Sequence, residues 1–295
     1  MDEVIRAIGF GLVTSSVIAL GAVGFTLQFS VSRLFNVAYG AAMTVAAYVA
    51  YLGINQLGAG IWVSLVVAAL AAAAVSVALQ RGIYQPFIAK GSNHFALIMV
   101  SLAMAVIIQE TIQAISGPRY VSLDLPHQTA FHVGSIVLTP RQLVIVAIAL
   151  VTMILLHWLL RSTRLGKAMR AVADDPDLAQ SSGIKSRRVI SIVWFTSGAL
   201  CGLAGATLVL NTVTFNTNVG SLMLLVIVAA AMLGGVGDIY GAVLGSVVVG
   251  VVSELTALWA PQLKNFSAFV VLVIILIVLP EGLRPTARLG RRVAA

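Results

Sequence analysis

Long apolar stretches follow one another from Ile8 to Leu279, separated by short polar breaks. A helix needs about 20 predominantly apolar residues to cross the hydrocarbon core of a bilayer, and several of these stretches meet that length. In lipid every backbone amide and carbonyl needs an internal partner, so only helices and closed barrels can span. The runs are continuous rather than alternating, which selects helices over barrel strands. Charge agrees: 9% of the residues are Asp, Glu, Lys or Arg and 60% are hydrophobic, whereas a soluble domain carries about 25% charged residues. The predicted fold class is an all-α integral membrane protein. It is a polytopic bundle of about 8–10 transmembrane segments in one domain, residues 1–295.

Nine segments are read: Ile8–Phe29, Val37–Leu52, Ile61–Leu79, Phe95–Ile115, Leu143–Leu160, Val189–Leu210, Leu222–Leu233, Ala242–Leu258 and Phe266–Leu279. The first is too long for the apolar core of a signal peptide and lacks a basic flank, so it is expected to be retained. Lys and Arg gather in the loop 161–188 and in the tail 281–295, which holds four arginines. The net charge of +8 therefore fits the excess of basic residues on cytoplasmic loops, not nucleic-acid binding. Four segments separate that loop from the tail, so both are placed in the cytoplasm. The Arg33 break and the loop 81–94 then fall inside, and the N-terminus and the loop 117–140 fall outside. The single cysteine, Cys201, lies within an apolar run and offers no disulfide framework.

Residues 161–188 stand apart, with seven of the eighteen basic residues and three of the ten acids. Leu165, Ala168, Met169, Val172 and Ala173 recur at helical spacing, with Lys167 and Arg170 off that face, which predicts a short amphipathic helix. It stops before Pro176, because the residue preceding a proline is pushed out of the α region. Asp175 is then the N-cap of a second short helix, with Pro176 in its first position, Asp177 in its first turn and Gly183 as its C-cap. Two readings stand: a docking element for a soluble partner, or a basic loop with a helix lying on the membrane. The acids Asp174, Asp175 and Asp177 weigh against the second, since an anionic lipid surface repels them.

Gly198 and Gly202, and again Gly241 and Gly245, stand four apart, a spacing that lets helices approach closely in lipid. The stretch LGGVGD at 233–238 reads either as such packing or as a helix interruption, tolerated at membrane depth where it is buried or lines a cavity. Tyr39-Gly40-Ala41 is echoed by Tyr240-Gly241-Ala242. No phosphate-binding loop of the form GxxxxGK[ST] is present, so this chain is expected to be non-catalytic and to draw its energy from elsewhere. His94, His127, His132 and His157 lack metal-ligand spacing, and no metal site is expected.

Three motifs in order carry a family resemblance. GKAMRAVADDPDLAQSSGI (166–184) resembles the cytoplasmic coupling motif of permeases in branched-chain amino-acid ABC importers, the LivH/LivM family, and is closer to the LivH type. LFNVAYGAAMTVAAYVAYL (34–52) resembles that family's second-segment motif, an Asn followed four residues later by Gly. LLVIVAAAMLGGVGDIYGAVLG (224–245) resembles its late glycine-rich motif. Tyr39 stands where the family commonly has a His-like residue and Asp238 where Ser or Gly is usual, departures that touch the substrate rather than the class.

The resemblance implies an ABC importer permease fold, type II-like, in a bacterial cytoplasmic membrane. It also implies a second related permease as heterodimer partner, two cytoplasmic ATPase subunits that would bind the ATP and Mg, no cofactor in this chain, and an extracytoplasmic solute-binding protein. Gly166, Lys167, Arg170, Ala171, Asp174, Asp175, Pro176 and Gly183 are the coupling candidates. Gly234, Gly235, Gly237, Gly241 and Gly245 serve packing or a broken helix. Gln28, Asn36, Gly40, Thr44, Glu110 and Glu254 are candidates for the translocation path. The two acids could meet a solute ammonium group, or pair within the protein. The polar side chains could equally bond helix to helix. The function implied is ATP-driven, binding-protein-dependent import of branched-chain or related amino acids. Urea, short amides or small organic acids in a sister system are the alternative, and an ion-coupled secondary transporter a further one, which would favour acids near the midplane.

Overall fold

The computed structural model describes residues 2–124, 131–133, 136–235 and 237–278. The expected tail at 281–295 and His127 lie outside them. Each of the nine apolar segments is a helix: α1 (Asp2–Ser32), α2 (Ala38–Tyr51), α3 (Ile61–Leu79), α5 (His94–Ser116), α6 (Pro140–Ser162), α9 (Ser186–Thr212), α10 (Val219–Gly234), α11 (Ile239–Trp259) and α12 (Lys264–Val278). Between them come α4 (Gln85–Ala89), α7 (Arg164–Asp174) and α8 (Pro176–Ser181). Among the described residues, six of the nine are long and apolar enough to cross a membrane, and α2, α10 and α12 are shorter. The fold is an all-α membrane bundle.

The start of the predicted loop 81–94 is helical instead. A wide turn at Gln80–Tyr84 carries α3 onward into α4, placing the change of pitch immediately before Pro86, where a regular helix would lose an amide donor.

Helix α1 is the axis. Its most apolar stretch is 72% buried, against 17% for α5 and 22% for α6, which leaves those two as the outer layer. Leu20, Ala22 and Val23 of α1, Cys201 and Ala204 of α9 and Ile227 of α10 are fully enclosed. The small-residue spacing on α9 does what it predicts: a Cβ on Gly202 would lie 2.6 Å from the Ala69 Cα, and one on Gly198 2.8 Å from the Ala73 Cα, so α9 and α3 touch backbone to backbone.

Two helices begin inside the bundle rather than at its ends. After α1 the chain runs non-helically through residues 33–37, with Leu34 and Asn36 buried. Tyr39, in the first turn of α2, donates its hydroxyl to the Gly21 carbonyl (2.9 Å), halfway along α1. At 14 residues and about 1.5 Å per residue, α2 therefore covers only the half away from residues 161–188. The first turn of α10 meets it there, for a Cβ on Gly40 would stand 2.8 Å from the Gly220 carbonyl oxygen. The other end of α10 is held the same way, Gly234 against Gly241 of α11. Between them Gly235 (φ 106°) and Gly237 (φ 92°) adopt the left-handed backbone that glycine accepts freely. The LGGVGD stretch is thus both a helix interruption and a packing device. The segment before α10 is satisfied by a short antiparallel pair, β1 (Val121–Ser122) with β4 (Thr214–Phe215). Backbone inside a membrane needs such partners.

Candidate functional site

The loop 161–188 folds from its own caps. Thr163 opens α7, its hydroxyl accepting from the Gly166 amide (3.0 Å). Asp175 opens α8, one carboxylate oxygen accepting from the Asp177 and Leu178 amides, both at 3.0 Å. Gly183, at φ 84°, closes it, its amide donating to the Gln180 carbonyl (3.0 Å). Met169 and Val172 are buried, as is Gly166, on which a Cβ would lie 2.6 Å from the Leu159 carbonyl oxygen. The predicted helix–proline–helix stands with Asp175 as its N-cap as read, while the C-cap is Ser182 and Gly183 is the left-handed residue that follows it. Replacing Asp175 with alanine is expected to cost about 1 kcal/mol of local stability, seen as faster amide exchange confined to residues 176–183.

Arg170 is placed differently from expectation. Its guanidinium reaches back to the Leu160 carbonyl at the end of α6, a favourable place for a cation, so it braces the loop instead of projecting freely. Lys167, Asp174, Asp175, Pro176 and Asp177 are exposed, and so is Leu178, at 65%. Ala171 is half-buried behind them.

Arg33 ties this loop to the interior. Its guanidinium donates to the Ala173 and Asp174 carbonyls (3.3 and 3.4 Å), the last of α7. It holds a left-handed backbone (φ 49°) at the start of the 33–37 break, a conformation that persists in a non-glycine residue only when its surroundings impose it. A continuous line runs from α7 through Arg33 to the break, to Gly40 of α2, and to Gly220 of α10.

The other polar candidates do not converge on one channel. Asn36 is buried and accepts from the Tyr84 hydroxyl (2.9 Å). Thr44 donates to the Gly40 carbonyl (3.3 Å) and accepts from the Gly220 amide (3.2 Å). Gln28 accepts from Ser197 (3.2 Å). All three are at most 2% exposed, so within this single chain they bond one segment of the bundle to another. Glu110 is exposed next to Gln109, which bridges Asn218 (2.6 Å) and Ser221 (2.8 Å). Glu254 accepts from Thr14 and from the Lys264 ammonium, each at 2.5 Å. Its ammonium partner here is thus the chain's own. His157 pairs with the Tyr240 hydroxyl (2.8 Å), and no cluster of potential metal ligands occurs among the described residues.

Tyr84→Phe is expected to lower thermal stability by about 1 kcal/mol, because it orphans a buried acceptor. Combining it with Asn36→Leu should recover most of that loss, which a melting series in detergent checks.

A family model for the branched-chain amino acid transport system permease component matches residues 7–279. The chain belongs to this family. Among relatives of this permease are the high-affinity branched-chain amino acid transport system permease proteins LivH of Salmonella typhimurium and BraD of Pseudomonas aeruginosa. LivH is 26% identical over 287 residues, 92% of each chain. BraD is 28% identical over 295 residues, 95% of this chain and 94% of its own. The solved PsaBC from Streptococcus pneumoniae in complex with Fab overlaps at a TM-score of 0.47 and 14% identity, over 93% of this chain and 89% of that one, a likeness too loose to fix the importer type. The permease is a multi-pass membrane protein. Its motif residues fall where helices start, stop or touch: Gly166 under the loop, Gly40 and Gly220 at the inner helix starts, Gly234 and Gly241 at the closing contact, and Gly245 against the Ala230 carbonyl.

Sequence reading passed over Thr163, Arg33 and Lys264. Thr163 was visible as a Thr immediately before an amphipathic run. The other two act through contacts that sequence spacing does not reveal.

Proposed function

We propose that this permease is a non-catalytic membrane subunit of an ATP-driven, binding-protein-dependent importer for branched-chain amino acids. It works in the bacterial inner membrane with its N-terminus outside and its C-terminus in the cytoplasm. Residues 161–188 face the cytoplasm and dock into one of two ATPase subunits, which hold the ATP and Mg. A second, related permease completes the passage, and an extracytoplasmic binding protein delivers the solute and sets most of its selectivity. The observation that carries this reading is the line from α7 through Arg33 to the inner start of α2. A movement imposed on the loop is delivered to the two helix starts that meet at Gly40 and Gly220. These residues lie halfway along the bundle, where a passage beside them would be gated.

The test is ATP-driven uptake by the reconstituted complex, with and without its binding protein, over leucine, isoleucine, valine, urea and a short amide. Uptake confined to the three amino acids supports the reading, and uptake of urea or the amide instead replaces the solute. Loss of Arg33 separates docking from coupling. Arg33→Ala is expected to retain the ATPase on purification and its basal hydrolysis while uptake falls about tenfold, given coupling energies of 1–3 kcal/mol between sites. Unchanged uptake would sink the relay.

A further inference from the structure

A cavity of about 340 Å³ opens at the end of the bundle opposite residues 161–188, among α1, α9, α10, α11 and α12. Its wall joins two chemistries. Ile18, Met223 and Val226 make it apolar toward the middle of the bundle, and Thr14 and Lys264 line it as well, both of them bonded to Glu254 directly behind. Three polar side chains that line it, Asn211, Thr214 and Ser253, make no hydrogen bond among the described residues.

Ser253 is the most telling of these. It is only 4% exposed. The neighbouring α11 hydroxyls bond back into their own helix, Ser246 to the Ala242 carbonyl (2.6 Å) and Thr256 to that of Val252 (2.8 Å). Ser253 does not. Its hydroxyl is not sealed off from solvent, and so it is open to bond a ligand in the cavity it lines.

We propose that this cavity is a binding site for the zwitterionic head and aliphatic side chain of an α-amino acid, a way station between the binding protein and the passage. The inference rests on the importer reading above. The ligand carboxylate bonds Lys264 and the ligand ammonium bonds Glu254, so the resident ion pair is exchanged for two new ones. No charge is left unpaired near the membrane at any stage, which is the condition under which ionic groups are tolerated there. The side chain points inward along Ile18 and Val226, and Ser253 and Asn211 complete the polar contacts. A ligand carrying only one of the two charges would break the resident pair and leave one partner uncompensated.

The experiment titrates leucine, leucinamide and 4-methylpentanoate into the assembled complex in nanodiscs without binding protein, by calorimetry. Leucine is expected to bind saturably and the two single-charge analogues at least about tenfold more weakly. The double substitution Lys264→Met with Glu254→Gln removes both charges together, so the melting temperature should hold while leucine binding weakens about tenfold. Ser253→Val, which fills the cavity without touching the ion pair, should weaken it as well. Equal leucine binding in both variants, equal binding of the three ligands, or no saturable binding by the wild-type complex would overturn the site. That result, in a complex that still imports leucine, leaves the importer reading standing. A complex with its cognate binding protein that imports no branched-chain amino acid refutes the reading itself.

Discussion

Changing Leu178 to aspartate is expected to release the ATPase subunits from this permease and reduce uptake to background, with membrane insertion and yield unchanged. The side chain is 65% exposed on α8, so the fold loses little packing when it goes. What is lost lies on the partner's side. A residue that acts as an interface hot spot is worth about 2 kcal/mol on truncation, which corresponds to about a thirty-fold loss of affinity. The new carboxylate would also stand in a segment that already holds Asp174, Asp175 and Asp177, adding like-charge repulsion against any partner surface that matches the native pattern. Co-purification of the ATPase with tagged permease measures the effect directly. Full retention of the ATPase would place the docking surface elsewhere, and the basic side of the loop around Lys167 would be the next to probe.

What could be read from this sequence divides along physical lines. Helix existence and loop caps are local properties. A run such as Ile61–Leu79 has no other stable state in lipid, and Asp175-Pro176-Asp177 specifies a helix start through its own amides. Both appear in the structure where the sequence puts them. Depth and pairing are not local. The segment read as Val37–Leu52 begins within one residue of the helix, at Ala38, yet only the fold places that start near the middle of the bundle. Nothing in those residues says that the Gly21 carbonyl awaits Tyr39. Arg33 and Ala173 are separated by 140 positions, and Thr14 and Glu254 by 240, so no spacing rule brings either pair together. Glu254 was legible as an acid within an apolar segment, but its pairing with Lys264 depends on the turn from α11 to α12 bringing the two side chains together. The same holds for the glycines. The sequence says that Gly40 and Gly241 permit a close approach, and only the fold says that α10 is what approaches, gripped by one at each end.

That grip predicts the largest structural effect. Gly220→Leu is expected to abolish both folded yield and transport. A Cβ there collides with the Gly40 carbonyl oxygen and stands 2.8 Å from the Thr44 amide nitrogen, and these are backbone atoms of a helix start that cannot rotate aside. To make room, the first turns of α2 and α10 must separate, which breaks the bond from the Gly220 amide to the Thr44 hydroxyl (3.2 Å). Overpacking costs about 1–3 kcal/mol, and a buried donor left without a partner about 1–3 kcal/mol more. Together these approach the 5–15 kcal/mol by which a domain is typically stable. Alanine at the same position already carries the colliding atom and should fail in the same direction by a smaller amount. Gly60→Ala is the matched control, since nothing lies within 4 Å of the added atom, and it should behave as the native chain. Size-exclusion profiles of the detergent-extracted variants, read beside uptake, test the series. A monodisperse, transporting Gly220→Leu variant would mean that the two inner helix starts are held apart in the working protein, and the relay from residues 161–188 would then have to reach the passage by another route.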